Sequence, residues 1–406
     1  MTTNIPELIA PVGDWPSLHA ALQNGADGVY FGLKDLNMRD NADSFEINEL
    51  KKVVAAAQEM QVKTYLTLNA IVFDDEVVKV RKIVREAKKA GITAIICWDM
   101  SVLTIACDEG VVVHLSTQAS VSNFEAAKYY AGLGVKRIVL ARECSLEQIK
   151  AIIHAINEEG LDVEIETFIH GALCISISGR CFMSEYLFGE SANRGKCLQP
   201  CRRKYRVIDL EGEAELELED GYVLSPKDVC TLPFIDKLIE AGIQAFKIEG
   251  RMRSPEYVAT VTRVYRDALR DYSEGRLTEM KKADYVKALA TVYHRGFSNG
   301  FYFGRPAGDL AEVSGSIATT TKHYIGEVRK YFAKIGVAEV HVRNDGLQAG
   351  DKILITGDQT GAQETVADQM EIDHEKIEFA CKGDLIAVKL PFAVKRGDKF
   401  FKLMAN

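Results

Sequence analysis

Between residues 7 and 270 the chain repeats one pattern eight times: a short apolar run, then a stretch with apolar residues at helical spacing. The apolar runs cover 7–10, 28–33, 63–72, 94–98, 111–115, 137–141, 163–169 and 245–248. Between them, 48–61, 77–91, 123–134 and 146–160 place apolar residues on one helical face, and several stretches end on a glycine (Gly91, Gly134, Gly160, Gly242) suited to a left-handed cap. A strand buried on both faces reads as a continuous apolar run, and strands alternating with helices build a parallel sheet. Eight such units close most economically into a TIM-like (β/α)8 barrel. A doubly wound open sheet is the alternative, but no glycine-rich dinucleotide fingerprint follows the first run.

The repeat breaks once, after the seventh run, where residues at about 172–222 intervene before helical periodicity resumes at Leu232. An insertion at the C-terminal end of a barrel strand lies on the face where barrel active sites are built. Within it, residues 211–220 alternate acidic with apolar side chains, the pattern of a half-exposed strand or hairpin. After the eighth run, Ser254-Pro255-Glu256 reads as an N-cap serine followed by a first-turn proline, opening a helix through Tyr272; a second helix is expected over 279–293. The barrel region is assigned to 1–305 and a Gly/Ser/Thr-rich connection to 306–323. Residues 324–406 form a small all-β barrel, with strands at 326–332, 337–342, 351–356, 364–372, 376–380, 385–390 and 399–403.

Composition narrows the class. At 47% hydrophobic and 27% charged residues the chain is globular, and no apolar run approaches the roughly 18 residues of a membrane helix. The first residues lack a basic segment followed by an apolar one, so a cytoplasmic location is expected. There, nine cysteines do not make a disulfide framework.

Four of the nine fall within the insertion, as Cys174, Cys181, Cys197 and Cys201, with spacing C-x6-C-x15-C-x3-C. Four thiolates on one loop can hold a tetrahedral zinc or an iron–sulfur cluster; the absence of C-x2-C knuckles tilts towards the cluster. Cys97, Cys107, Cys144, Cys230 and Cys381 lie mostly in apolar or helical contexts and read as small hydrophobes, with Cys230 a reserve ligand. Between 171 and 210, seven basic residues face three acidic ones, although the whole chain carries −8. Arg194, Lys196, Arg202 and Arg203 belong to this basic rim, which suits a carboxylate or an RNA backbone.

Several segments together carry a resemblance. They are Glu166-Thr-Phe-Ile-His-Gly-Ala-Leu-Cys174, Ser178-Gly-Arg-Cys181, Asn193-Arg-Gly-Lys-Cys-Leu-Gln-Pro-Cys-Arg202, Lys247-Ile-Glu-Gly-Arg-Met-Arg-Ser-Pro-Glu-Tyr257 and the opening Glu7-Leu-Ile-Ala-Pro-Val-Gly13. Over about residues 5–305 the chain resembles peptidase family U32, the collagenase-like proteins, and its C-terminal module is similar to the second domain of elongation factor Tu. The resemblance implies a 4Fe-4S cluster on Cys174, Cys181, Cys197 and Cys201. It further implies hydroxylation of RNA bases, foremost 5-hydroxyuridine formation in tRNA with prephenate as co-substrate, and it leaves room for a homo-oligomer or a hetero-oligomer with a paralogue. The peptidase name itself has no support in H-E-x-x-H, G-x-S-x-G or a placed Ser-His-Asp set. A collagenase-like peptidase and a non-catalytic iron–sulfur scaffold that binds RNA stand as the other readings.

Polar residues at the C-terminal ends of barrel strands are the remaining candidates: Asn37, Arg39, Asn69, Asp99, Ser116, Thr117, Gln118, Arg142, Glu143, His170, Lys247, Glu249 and Arg251. Arg39, Asn69, Gln118, Arg142 and Lys247 are expected to bind a carboxylate co-substrate. His170, Glu249 and Arg251 are expected at the chemistry, with His170 or Glu249 handling protons. Lys247 and Glu249 share a strand face, so a mutual ion pair is the structural alternative to a site role for them and is the pairing expected on that alternative.

Overall fold

The computed structural model describes residues 5–34, 36–38, 44–208, 215–216, 221–306, 308–344 and 346–406. Each apolar run forms a strand: β1 (Glu7–Pro11), β2 (Gly28–Gly32), β3 (Lys63–Thr67), β4 (Ala94–Cys97), β5 (Val113–Leu115), β6 (Val135–Val139) and β7 (Glu164–Ala172). A hairpin of β8 (Val207–Ile208) and β9 (Glu215–Leu216) and the short β10 (Asp228–Cys230) precede the last barrel strand, β11 (Ala245–Ile248). Parallel pairing runs from β11 through β1 to β7, and β7 pairs with β11, so the barrel closes as expected. The helices between strands are α1 (Trp15–Gln23), α2 (Leu50–Glu59), α3 (Val77–Ala90), α4 (Met100–Asp108), α5 (Phe124–Gly132) and α6 (Leu146–Glu158). α7 (Met183–Phe188) lies in the insertion, and α8 (Ile235–Glu240), α9 (Pro255–Ser273) and α10 (Glu279–Leu289) follow.

Period-two alternation divides the strand side chains between two layers. Leu8, Ala10, Val29, Phe31, Leu66 and Ile95 point outward into the core shared with the helices. Ile9, Tyr30, Tyr65, Ala94, Ile96 and Ala245 form a separate cluster inside the barrel. The same inward face carries charge. Arg137 reaches Glu7 at 3.0 Å and Glu166 at 3.6 Å, and Glu166 accepts a hydrogen bond from Lys247 at 2.7 Å. This column of alternating sign runs from the strand starts to the strand ends. Burial pushes the Glu7 carboxyl up, but Arg137, Lys63 and the Tyr65 hydroxyl together outweigh it and leave the group at about 2.

Local caps follow the sequence. Asp14 accepts the Ser17 amide at 2.8 Å, and Ser145 with Gln148 completes a capping box on α6. Gly91, Gly134, Gly160 and Gly242 all take positive φ. Ser254 occupies the N-cap of α9 with Pro255 at its first position, yet its side chain makes no capping hydrogen bond; the Ser254 carbonyl alone serves the first turn. α10 stops at Leu289 rather than 293, and the chain beyond it turns so that Arg295 meets the buried Asp228 at 2.5 Å. β12 (Phe297–Ser298) then pairs with β10.

The C-terminal module is antiparallel throughout. Its strands are β13 (Thr320–Phe332), β14 (Val337–Val342), β15 (Leu347–Gln348), β16 (Lys352–Gly357), β17 (Gly361–Val366), β18 (Met370–Ile372), β19 (Glu375–Lys376), β20 (Phe379–Ala380), β21 (Leu385–Lys389) and β22 (Lys399–Ala405). Eight form one sheet in the order β17-β16-β22-β13-β14-β21-β18-β19 around its own core of Ile325, Val340, Ile355, Ile386 and Phe400. The strands expected at 364–372 and 376–380 are each divided. Asp373 and His374 both adopt positive φ, which makes the tight turn between β18 and β19. The module packs on the barrel through β17. A Cβ on Gly361 would stand 2.8 Å from the Ala20 amide nitrogen of α1, so only glycine allows that approach.

Candidate active site

The strand ends and the insertion enclose one cavity of about 130 Å³ at the barrel mouth. Thr67 and Asn69 reach it from β3, Gln118 from the turn after β5, and Arg142 from the turn after β6. Phe168 comes from β7, and Lys247, Glu249 and Arg251 from β11 and beyond. The insertion covers it with Cys174, Cys181, Cys197, Cys201 and Arg202. Of the residues expected at the chemistry or on the co-substrate, Asn69, Gln118, Arg142, Lys247, Glu249 and Arg251 therefore share one space. Arg39 lies outside the described residues.

Each cavity cation is held from behind. Lys247 is 3% exposed, its ammonium bound to Glu166 and lying 4.4 Å from the Tyr30 ring centroid. The expected pairing of Lys247 with Glu249 is thus replaced by one across neighbouring strands, because Glu166 on β7 faces β11 on the same inward layer. Burial pulls the Lys247 ammonium below its usual value, while Glu166 opposes the shift. Arg142 donates to the Ala172 carbonyl at 2.6 Å, with its guanidinium 3.8 Å from the Phe168 ring centroid. Arg251 donates to Thr67 Oγ1 at 2.7 Å and Asn37 Oδ1 at 3.3 Å. Asn69 and Gln118 hydrogen-bond to each other at 2.7 Å, and Glu249 accepts from the Tyr30 hydroxyl at 3.3 Å. Asp99 is occupied in capping α4, and Thr117 donates to the Leu140 carbonyl.

His170 sits elsewhere. Strict alternation would put it inward with Glu166 and Phe168, but β7 carries one extra residue opposite Lys247–Ile248. This bulge turns the imidazole out of the cavity and against α9, where Nδ1 lies 3.4 Å from the Tyr265 hydroxyl. Burial lowers its pKa to about 4, so the ring is neutral at pH 7. Cys230 is buried beside the same hydroxyl, 3.9 Å away, and does not line the cavity. Cys381 is exposed, unlike the buried Cys97 and Cys144.

Among the four insertion cysteines, Cys174 is exposed and the others are half-buried. The Met183 amide donates to the Cys181 sulfur at 3.5 Å, and Asn193 Oδ1 accepts the Cys181 amide at 3.0 Å. Burial raises the Cys201 thiol; the adjacent Arg202 opposes this, while the other three cysteines reinforce it. Among the described residues, no three His, Cys, Asp or Glu side chains are gathered as ligands of a metal ion. The four thiols instead line one wall of the cavity. Zinc would draw its sulfurs to about 2.3 Å from one centre, whereas a 4Fe-4S cluster offers one iron to each thiolate. Four thiols, an amide aimed at sulfur and a neighbouring guanidinium form a donor set that fits such a cluster.

The basic rim separates into two groups. Arg194 is bound to Glu76 at 2.5 Å and to the Ile71 carbonyl, tying the insertion to the loop after β3. Arg202 donates to the Leu173 carbonyl at 2.6 Å, the Pro226 carbonyl at 2.9 Å and Ser225 Oγ at 3.1 Å, so it joins the segments bearing Cys174 and Cys201. Lys196 and Arg203 remain exposed. Sequence reading missed Glu166 and Tyr30; two acids at alternate positions of the 163–169 run, Glu164 and Glu166, were the available signal.

Comparison with known proteins places this arrangement. The family model described as Peptidase family U32 matches residues 13–312. A protein of Porphyromonas gingivalis named collagenase is 41% identical, with 99% of each chain covered. A tRNA hydroxylation protein of Bacillus subtilis is 33% identical over 90% of this chain and 88% of its own. A 23S rRNA 5-hydroxycytidine synthase of Escherichia coli is 32% identical over 86% of this chain and 53% of its own.

Proposed function

The chain belongs to peptidase family U32, and from that premise we propose that it is an iron–sulfur RNA base hydroxylase, forming 5-hydroxyuridine in tRNA with prephenate as co-substrate. The observation that carries the reading is the meeting of four cysteines with Arg142, Arg202, Lys247 and Arg251 on one cavity. The relatives named for tRNA and rRNA hydroxylation support an RNA substrate.

Replacing C5–H of a pyrimidine by C5–OH is a two-electron oxidation, which balances when the co-substrate gives up its hydroxyl to C5, takes up the displaced hydrogen and leaves reduced by two electrons. A cluster on Cys174, Cys181, Cys197 and Cys201 would supply redox or Lewis-acid chemistry at the cavity wall. The chain's own residues do the rest. Arg142, Lys247 and Arg251 bind and orient the carboxylates of the co-substrate. The Asn69–Gln118 amide pair presents hydrogen-bonding groups, and Glu249 is the carboxylate placed to accept a proton. Phe168 and Tyr30 form apolar walls that limit water.

Nucleoside mass spectrometry of tRNA from a deletion strain tests the proposal. Loss of 5-hydroxyuridine, restored by the wild-type gene and not by Cys174→Ala, is the expected result; unchanged hydroxyuridine refutes it. The relative named collagenase motivates a second reading, in which the protein cleaves peptides. Hydrolysis of a collagen-like peptide that survives substitution of all four cysteines would establish that reading instead.

A further inference from the structure

Helix α7 is built inside out. Its buried residue is Ser184, whose hydroxyl accepts the Leu198 amide at 3.0 Å. Its apolar residues face solvent: Phe182 at the N-cap is 61% exposed, Tyr186 85% and Leu187 53%. Scattered exposed apolar residues need no explanation, but a contiguous group marks a contact surface. Phe182 and Tyr186 are four residues apart and stand on one side of the turn, with ring centroids 6.1 Å apart.

Cations of the same insertion lie beside this helix in the chain, and one of them covers an α7 ring. The Arg203 guanidinium lies 4.6 Å from the Phe188 ring centroid, and Arg180 lies 4.6 Å from the Trp98 ring centroid. Lys196 meets Glu190 at 3.4 Å in a surface pair, which holds it weakly. The core of a protein–protein contact is depleted of charge. Aromatic faces beside guanidinium and ammonium groups match unstacked bases on a phosphate backbone instead. The position fits as well, since Phe182 directly follows Cys181, which lines the cavity.

We propose that α7 is a stacking platform for single-stranded RNA, on which Phe182 and Tyr186 seat the bases flanking the nucleotide delivered to the cavity, with Lys196 and Arg203 on its phosphates. This rests on the reading of the protein as an RNA-modifying enzyme. It divides the basic rim by role: Lys196 and Arg203 contact RNA, whereas Arg194 and Arg202 hold the insertion together.

The test uses the full-length protein with a fluorescently labelled, unmodified tRNA transcript, read by fluorescence anisotropy over a range of NaCl concentrations. Stacking is worth roughly 1–3 kcal/mol per base, so Tyr186→Ala is expected to weaken binding about 5- to 150-fold. Tyr186→Trp should retain affinity. Arg203→Gln should make the salt dependence shallower by about 0.7 in log–log slope, whereas Tyr186→Ala should leave that slope unchanged. Tyr186 is largely exposed, and a thermal melt checks that its variants stay folded. If the wild type binds the transcript and Tyr186→Ala binds equally well, the platform is refuted while the RNA reading stands. If the wild type does not bind the transcript at all, the RNA reading falls and the platform with it. Unchanged RNA affinity with loss of a dimer by light scattering would identify the face as a subunit contact and overturn the proposal.

Discussion

Glu166→Gln isolates the charge that positions the cavity lysine. Glu166 is fully buried and accepts from Lys247 at 2.7 Å, with Arg137 at 3.6 Å on its other side. At an effective dielectric of about 20, a pair 2.7 Å apart gains about 6 kcal/mol. Removing one partner of a buried pair typically costs about 3–5 kcal/mol, because the survivor is left uncompensated. Arg137 retains Glu7 and Glu164, so most of the loss falls on Lys247. Glutamine keeps the size and a hydrogen-bond acceptor, so steric change contributes little. We expect urea unfolding at pH 7.5 to show a loss of about 3–4 kcal/mol. Burial already depresses the Lys247 pKa, and the variant depresses it further. A lysine whose folded pKa lies below its unfolded value leaves the unfolded chain holding more protons, so stability rises with pH up to the unfolded pKa. The gap between variant and wild type should therefore narrow between pH 7 and 9.5. Glu166→Gln combined with Lys247→Met should recover part of the loss, since no buried ammonium remains. A loss below about 1 kcal/mol, or a double variant no more stable than Glu166→Gln alone, would refute this account.

Two further predictions concern residues whose roles the structure reassigns. His170 is fully buried with its pKa lowered to about 4 from 6.5, so the unfolded chain takes up a proton that the folded chain refuses. Stability should fall by up to about 3 kcal/mol as pH drops from 6.5 to 4. The buried His114 adds a loss of the same sign, so His170→Gln should remove part of this dependence; an unchanged pH slope would contradict the assignment. Arg194→Ala breaks the pairing with Glu76 and the bond to the Ile71 carbonyl, which together contribute about 2 kcal/mol. Its effect should be local, with faster proteolysis within 172–206 and a smaller change in global melting; proteolysis at the wild-type rate would count against a tethering role.

The barrel was legible because strands buried on both faces leave continuous apolar runs, and the helix ends at Gly91, Gly134, Gly160 and Gly242 because a left-handed cap favours glycine in any fold. The cysteine loop was legible as a group for a similar reason: four cysteines close in sequence line the same cavity. What escaped depended on register. One extra residue in β7 reversed the side of His170, and nothing in the composition of that run reveals a bulge. The strands expected at 364–372 and 376–380 each break, at 367–369 and 377–378, and no glycine or proline in either stretch signals the interruption. Lys247 found its partner on β7 rather than along its own strand, because cross-strand neighbours are invisible until the barrel closes. Arg194 and Arg202 read as surface charge, since a sequence does not say which arginines fold back onto carbonyls.

That last difference bears on how the cavity works. Arg142 and Arg202 are fixed by hydrogen bonds to carbonyl and hydroxyl oxygens, which orient a guanidinium without cancelling its charge. Lys247 is treated differently, being paired with a carboxylate that links it through Arg137 to Glu7 at the far end of the barrel. The mouth thus carries three guanidiniums oriented by neutral oxygens, those of Arg142, Arg202 and Arg251, together with an ammonium whose charge is largely balanced from below. Four thiolates on the same wall would add negative charge, which the nearby guanidiniums would offset. For the proposed cluster and co-substrate, one arrangement would meet two demands: it would lower the cost of gathering thiolates and leave oriented donors for a carboxylate. On this reasoning Arg202→Gln should weaken metal retention even though the residue is not itself a ligand, because it removes the charge beside Cys201 and part of the tie between the two cysteine segments.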